Sequence, residues 1–173
     1  MFLRKTLDWG HHLVKVTYDY MLELAARKNA MLFLFIVAFV ESSFFPIPPD
    51  IMLIPMVLAT PAKAYRIAGL ATVASVLGGY FGYLIGVFGY DLIAKPILTF
   101  YGYMSQFDVF KGYYHEWGAW IVFGAGLTPF PYKVVTIASG VVHLDLLVFT
   151  VASVLARGGR FFLVAWLLKK YGE

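Results

Sequence analysis

The chain of 173 residues contains no cysteine. Disulfides, thiolate nucleophiles and cysteine-ligated metals are therefore excluded. Charge is scarce too: Asp, Glu, Lys and Arg together make 14% of the residues, against about 25% in an ordinary soluble domain. A soluble domain of this size buries roughly 70% of its unfolded surface and coats the rest with polar side chains. So few charges cannot supply that coat. No Gly-x-Ser-x-Gly, His-Glu-x-x-His or Walker sequence is present. His11, His12, His115 and His143 lack metal-ligand spacing, and Ser42, Ser43 and Ser139 have no His nearby. No enzyme activity, metal or cofactor is expected. No run of basic residues points to nucleic acid.

What is abundant is apolar: 61% of the residues are hydrophobic. The expectation is an all-α membrane protein. Residues 1–28 read as an amphipathic interfacial helix, with Leu3, Leu7, Val14, Met21 and Leu24 on one stripe. Asp8, His11, His12, Lys15, Asp19 and Glu23 interrupt any apolar core there, which argues against a secretory signal. Residues 29–173 read as one membrane domain.

Residues 67–90 carry no charge. At about 1.5 Å per residue they are long enough to cross a hydrocarbon core of about 30 Å. The other apolar stretches are broken. Residues 30–40 meet Glu41, then Pro46, Pro48, Pro49 and Asp50, before residues 51–59 resume. Residues 117–128 meet Pro129, Pro131 and Lys133, before residues 134–142 resume. A Pro-x-Pro cannot continue a helix. Backbone groups freed at membrane depth must be buried in protein or face a watery cavity. Two re-entrant helical hairpins fit better than four thin spans. The last apolar region, residues 146–168, carries Arg157 and Arg160 near its middle.

The two broken segments align without a gap. Pro46 and Pro48 fall on Pro129 and Pro131, Asp50 on Lys133, and Ile54 on Ile137. Gly78-Gly79-Tyr80-Phe81 matches Gly158-Gly159-Arg160-Phe161 at nearly the same offset. The expected architecture is an inverted repeat of re-entrant hairpin plus transmembrane helix: repeat 1 over 30–90, a connector over 91–116, repeat 2 over 117–171. Short Pro-interrupted segments at corresponding places in two halves point to a transporter site. With two crossings, Arg4, Lys5, Lys15, Arg27, Lys28, Lys63, Arg66, Lys169 and Lys170 share one side, and Lys95 and Lys111 the other. The positive-inside rule then puts both termini in the cytoplasm.

Glu41, Asp50, Lys133, Arg157 and Arg160 are the charges expected at membrane depth. Each costs about 2.5–3.5 kcal/mol on insertion scales, so each should face a cavity or a partner. Three cations against two acids leave a positive excess. Arg suits phosphate through bidentate hydrogen bonds, and buried carboxylates can carry protons. Glu41 and Asp50 are thus candidates for proton coupling, and Lys133, Arg157 and Arg160 for anion binding. The bland alternative is a set of intramembrane ion pairs that only hold the hairpins together. Gly78, Gly79, Gly82 and Gly86 are read as a packing face.

These motifs resemble the DedA family, the bacterial branch of the VTT or SNARE-associated membrane proteins. The carriers are Glu41 with Pro46-Ile47-Pro48-Pro49-Asp50, the run Gly78 to Gly86, Gly126-Leu127-Thr128-Pro129-Phe130-Pro131-Tyr132-Lys133, and Ala138-Ser139-Gly140. The resemblance implies facing re-entrant hairpins in the bacterial inner membrane. It also implies proton-motive-force-dependent movement of a lipid such as undecaprenyl phosphate or phosphatidylethanolamine. The family's second hairpin usually reads Arg-Phe-x-Pro-x-x-Arg. Here Gly126 replaces the first Arg, and Lys133 stands near the second with one extra residue. Arg157 and Arg160 look like the missing cation, as in a divergent short subgroup. The expected function is therefore a lipid flippase or scramblase. The alternatives are a proton-coupled carrier of a small soluble anion and a non-transporting membrane assembly factor.

Overall fold

Two long helices run antiparallel through the computed structural model, which describes Tyr20 and residues 23–43, 48–128 and 130–172. The described residues are helical, with no strand. The amphipathic helix expected over residues 1–28 lies mostly outside the described residues, as do Pro46 and Pro129.

In chain order the helices are α1 (Ala30–Ser43), α2 (Asp50–Ala59), a 3-10 turn (Pro61–Lys63) and α3 (Ala64–Gly89). A π-helical turn (Tyr90–Ala94) leads into α4 (Lys95–Tyr101), followed by α5 (Met104–Leu127), α6 (Tyr132–Val141) and α7 (Leu146–Tyr171). Two stretches among the described residues are long and apolar enough to cross a membrane: Pro61–Tyr101, which contains α3, and Leu146–Tyr171, which is α7.

The helix ends follow local chemistry. Pro48 and Pro49 precede α2, and Asp50 sits in its first turn, where a carboxylate complements the positive end of the helix. The α2 helix stops at Thr60, whose hydroxyl donates to the Met56 carbonyl at 2.8 Å. Gly102 closes α4 at φ +70, a left-handed cap that glycine adopts without steric cost. Asp145 caps α7 by accepting from the Val148 amide at 2.9 Å.

The charge-free stretch at 67–90 is helical to Gly89, and the helical path continues beyond it to Tyr101. The first limb of the second broken pair corrects the expectation. It begins at Met104, not at residue 117, so α5 has 24 residues and absorbs much of the expected connector. Asp108, Lys111 and Glu116 kept its N-terminal half from looking like a continuation of the apolar segment.

Contacts between α3 and α7 fix their antiparallel sense. Tyr65 stacks on Phe162 with ring centroids 6.2 Å apart. Further along, Tyr80 shares a 2.5 Å hydrogen bond with Thr150, and the Tyr83 hydroxyl donates to the Leu144 carbonyl at 2.7 Å. The four glycines of α3 form its close-packing face. A Cβ on Gly78 would meet the Phe39 carbonyl of α1, and one on Gly86 would meet the Ile137 carbonyl of α6. Gly82 lies against Thr136, while Gly79 makes ordinary contact with Phe149, Thr136 and Tyr132. So α1 and α6 follow one another along the glycine face of α3.

Packing crosses between the halves. Helix α3 packs on α6 as well as on α1, and α7 packs on α2 as well as on α5. Two apolar clusters result. One gathers α1, α2, the start of α3 and the end of α7 around Leu34, Met52, Leu53, Ile67 and Phe161. The other gathers α5, α6 and the start of α7 around Tyr114, Val122, Tyr132 and Phe149. Between them lies a buried polar layer that includes Ser42, Ser75, Thr136, Ser153 and Arg157.

Candidate functional site: a charged cavity at the two helix breaks

The five charged residues expected at membrane depth all line one cavity of about 220 Å³. The breaks themselves complete its wall through Pro48 and Pro49 on one side and Phe130 and Pro131 on the other. Each charge has a distinct mount. Glu41 rides in the last turn of α1, Asp50 opens α2, and Lys133 stands in the first turn of α6. Arg157 and Arg160 project from the middle of α7, three residues apart and so on neighbouring faces.

Arg157 is 2% exposed. Its Nη2 donates to Glu41 Oε2 at 2.8 Å, and its Nε donates to Ser75 Oγ at 2.6 Å. Ser75 shares a 2.6 Å hydrogen bond with Ser42, and Ser42 donates to the same Glu41 oxygen at 3.1 Å. The hydrogen bonds close into a ring. The guanidinium carbon stands 4.9 Å from the Tyr132 ring centroid and 4.8 Å from that of Phe161. Both contacts fall within the range of cation–π attraction, which strengthens where water is excluded. Tyr132 is itself tied to Ser153 through its hydroxyl.

Arg160 is held differently. Its Nη2 donates to Asp50 Oδ2 at 2.5 Å, and its Nη1 to the Thr128 carbonyl at 3.1 Å. The two side chains are 24% and 20% exposed. Thr128 stands just past the end of α5, so Arg160 reaches a carbonyl that the broken helix leaves unused. Among the described residues, Asp50 Oδ1 is buried without a hydrogen-bond partner.

Sequence reasoning named the charges and not their setting. Ser42, Ser75, Tyr132, Phe161 and the Thr128 carbonyl were missed. One signal was legible: Ser75 is four residues before Gly79 on the small-residue face of α3. Asp50, which the repeat aligns with Lys133, forms an ion pair with Arg160, while Lys133 lines the same cavity. Among the described residues no group of His, Cys, Asp and Glu could hold a metal ion.

Fold and site together define an all-helical protein with two helices suited to crossing a membrane and a charged cavity between its apolar clusters. An uncharacterized protein of Haemophilus influenzae is 38% identical over 156 residues, covering 90% of this chain and 81% of that one. A protein of Histophilus somni, titled an uncharacterized HI0703 homolog, is 40% identical over 158 residues, covering 89% of this chain and 82% of that one. The chain belongs to the family of these two proteins. No protein-family model and no solved structure matches it.

Proposed function

We propose that the chain is a multi-pass inner-membrane lipid transporter of the flippase or scramblase type, a divergent short relative of the DedA proteins. One observation carries this reading. Three cations and two carboxylates converge on a single cavity at two helix breaks, in the middle of a domain with very few charges. Five charged groups at such depth cost far more than a packed apolar core of the same volume, so a structural role alone is a poor return for them. The lining's formal excess of one positive charge suits an anionic head group. The cross-packing of each short helix on the other half's long helix supports the inverted repeat of two re-entrant hairpins.

In this mechanism a phosphate enters the cavity from the bilayer and meets the positive charge of Lys133, Arg157 and Arg160 that line it, while its acyl or polyprenyl chain stays in lipid. Glu41 and Asp50 exchange protons as the charge moves, which links transport to the proton-motive force. Undecaprenyl phosphate and phosphatidylethanolamine are the candidate substrates. The basic residues Lys63, Arg66, Lys169 and Lys170 cluster where α3 begins and α7 ends, with Lys169 over the Tyr65 ring at 4.6 Å. That end is assigned to the cytoplasm, together with both termini.

A second reading has its own observation. Both carboxylates are engaged by arginines, as expected of an ion-paired core in a non-transporting assembly factor. One experiment separates the two. Purified protein is reconstituted in liposomes carrying fluorescent phosphatidylethanolamine or undecaprenyl phosphate, and the inward and outward pools are read by a membrane-impermeant quencher. Redistribution above protein-free liposomes supports the transporter. Its absence for both lipids, with correctly folded protein, supports the assembly factor.

A further inference from the structure

We infer that the two ion pairs divide the work of the cavity: Glu41 with Arg157 stays paired while the head group is bound, and Arg160 is the exchangeable anion site, where a phosphate oxygen displaces Asp50. The inference rests on reading the cavity as a head-group site, and it assigns the ligand to one side chain of that site.

The asymmetry is geometric. Arg157 belongs to a closed ring of hydrogen bonds through Glu41, Ser42 and Ser75. Its guanidinium carbon lies 4.9 and 4.8 Å from the Tyr132 and Phe161 ring centroids, and it is 2% exposed. An anion binding it would have to open the ring of hydrogen bonds. Breaking a buried pair on one side leaves an uncompensated charge, so this exchange is strongly opposed.

Arg160 has no such enclosure. It is 24% exposed, and among the described residues its hydrogen bonds go to one carboxylate oxygen and one carbonyl. Among the described residues its carboxylate partner is only half used: Oδ2 takes the bond, and Oδ1 is buried without one. A half-satisfied polar pair is the weak member of a buried network. A phosphate offers the fork of an arginine two parallel acceptors in place of one. The incoming anion and Asp50 therefore compete for the same guanidinium. The competition makes a prediction of unusual sign: removing the charge of Asp50 should tighten anion binding, although it removes a polar residue from the site.

The test is calorimetric titration of the purified full chain in detergent. Dioctanoyl phosphatidic acid is the probe, dioctanoylglycerol the control without phosphate, and inorganic phosphate the control without chains. Asp50→Asn should bind the phosphatidic acid roughly fivefold more tightly than wild type, which corresponds to ~1 kcal/mol. Arg160→Gln should abolish that binding with Asp50 intact. Dioctanoylglycerol should not bind. Binding of inorganic phosphate as tight as that of phosphatidic acid would assign the site to a soluble anion instead of a lipid.

Weaker binding in Asp50→Asn, or retained binding in Arg160→Gln, overturns the inference. Should Asp50→Asn fail to fold, Asp50→Ser carries the same test. The transporter reading fails separately. Liposome transport by the wild type without tightening in Asp50→Asn sinks only this inference. Tightening without transport sinks only the transporter.

Discussion

Arg157 and Glu41 lie 116 residues apart in the chain and meet at 2.8 Å. The contact ties the last turn of α1 to the middle of α7, so it closes the molecule across its whole length. Because both partners are largely out of water, the pair is more dangerous broken than it is valuable formed. Removing one member of a buried pair typically costs about 3–5 kcal/mol. Arg157→Met should therefore lower the unfolding temperature sharply. The double variant Glu41→Gln with Arg157→Met should recover much of the loss, because no charge is left without a partner. Thermal unfolding of both proteins in the same detergent checks this, and an additive loss in the double variant would contradict it.

Packing on the glycine face makes a second prediction. A Cβ at Gly86 would meet the Ile137 carbonyl, and one at Gly140 would meet the Tyr83 carbonyl. Overpacking a tight contact costs about 1–3 kcal/mol, and here backbone faces backbone. Gly86→Ala and Gly140→Ala should each reduce the folded fraction on gel filtration. Gly89→Ala, with nothing among the described residues within 4 Å of its Cβ, should not.

Sidedness is directly testable because the chain has no native thiol. Single cysteines at Lys63 and Lys170 should react with impermeant maleimide only when the cytoplasmic side is exposed. One at Lys111 should react from the opposite side in intact cells. Labelling of Lys63 and Lys170 from opposite sides would rule out the proposed topology.

Charge at the helix breaks should matter for transport more than for assembly. Asp50→Asn and Lys133→Gln are each expected to cut lipid redistribution in liposomes by tenfold or more, about 1.4 kcal/mol on the barrier. Both should appear in the membrane at near wild-type levels. Full transport by both variants would remove these residues from the mechanism.

Much of this arrangement was legible in the sequence, for identifiable reasons. The α7 helix was visible because an apolar run with only two charges has few other places to go. The α1 and α2 limbs were visible because a Pro-x-Pro does not continue a helix, although the single Pro55 lies inside α2. The same rule located the α5–α6 break. The convergence of Glu41, Asp50, Lys133, Arg157 and Arg160 followed from the cost of leaving any of them in an apolar setting. What stayed hidden depends on neighbours distant in the chain. Phe161, one turn beyond Arg157, was within reach, but nothing near Arg157 announces the Tyr132 ring that meets it from α6. Nor does the repeat, which sets Asp50 opposite Lys133, foretell that Arg160 from α7 will take the carboxylate. The start of α5 was hidden because Asp108, Lys111 and Glu116 look like a loop when only apolar length is counted.

The cross-packing of the two halves has a mechanical consequence. Helix α6 grips α3, and α2 grips α7, so each half holds the other's long helix as two hooked fingers hold each other. Pulling such halves apart would strip the glycine contacts at Gly82 and Gly86 together with both arginine pairs. Rigid rocking of one half against the other is therefore a costly motion for this molecule. Movement that keeps the grip, with the short helices sliding along the long ones, loses far less. The displacement such sliding allows is then short, about the 5.4 Å pitch of one helical turn, within a frame that stays clasped.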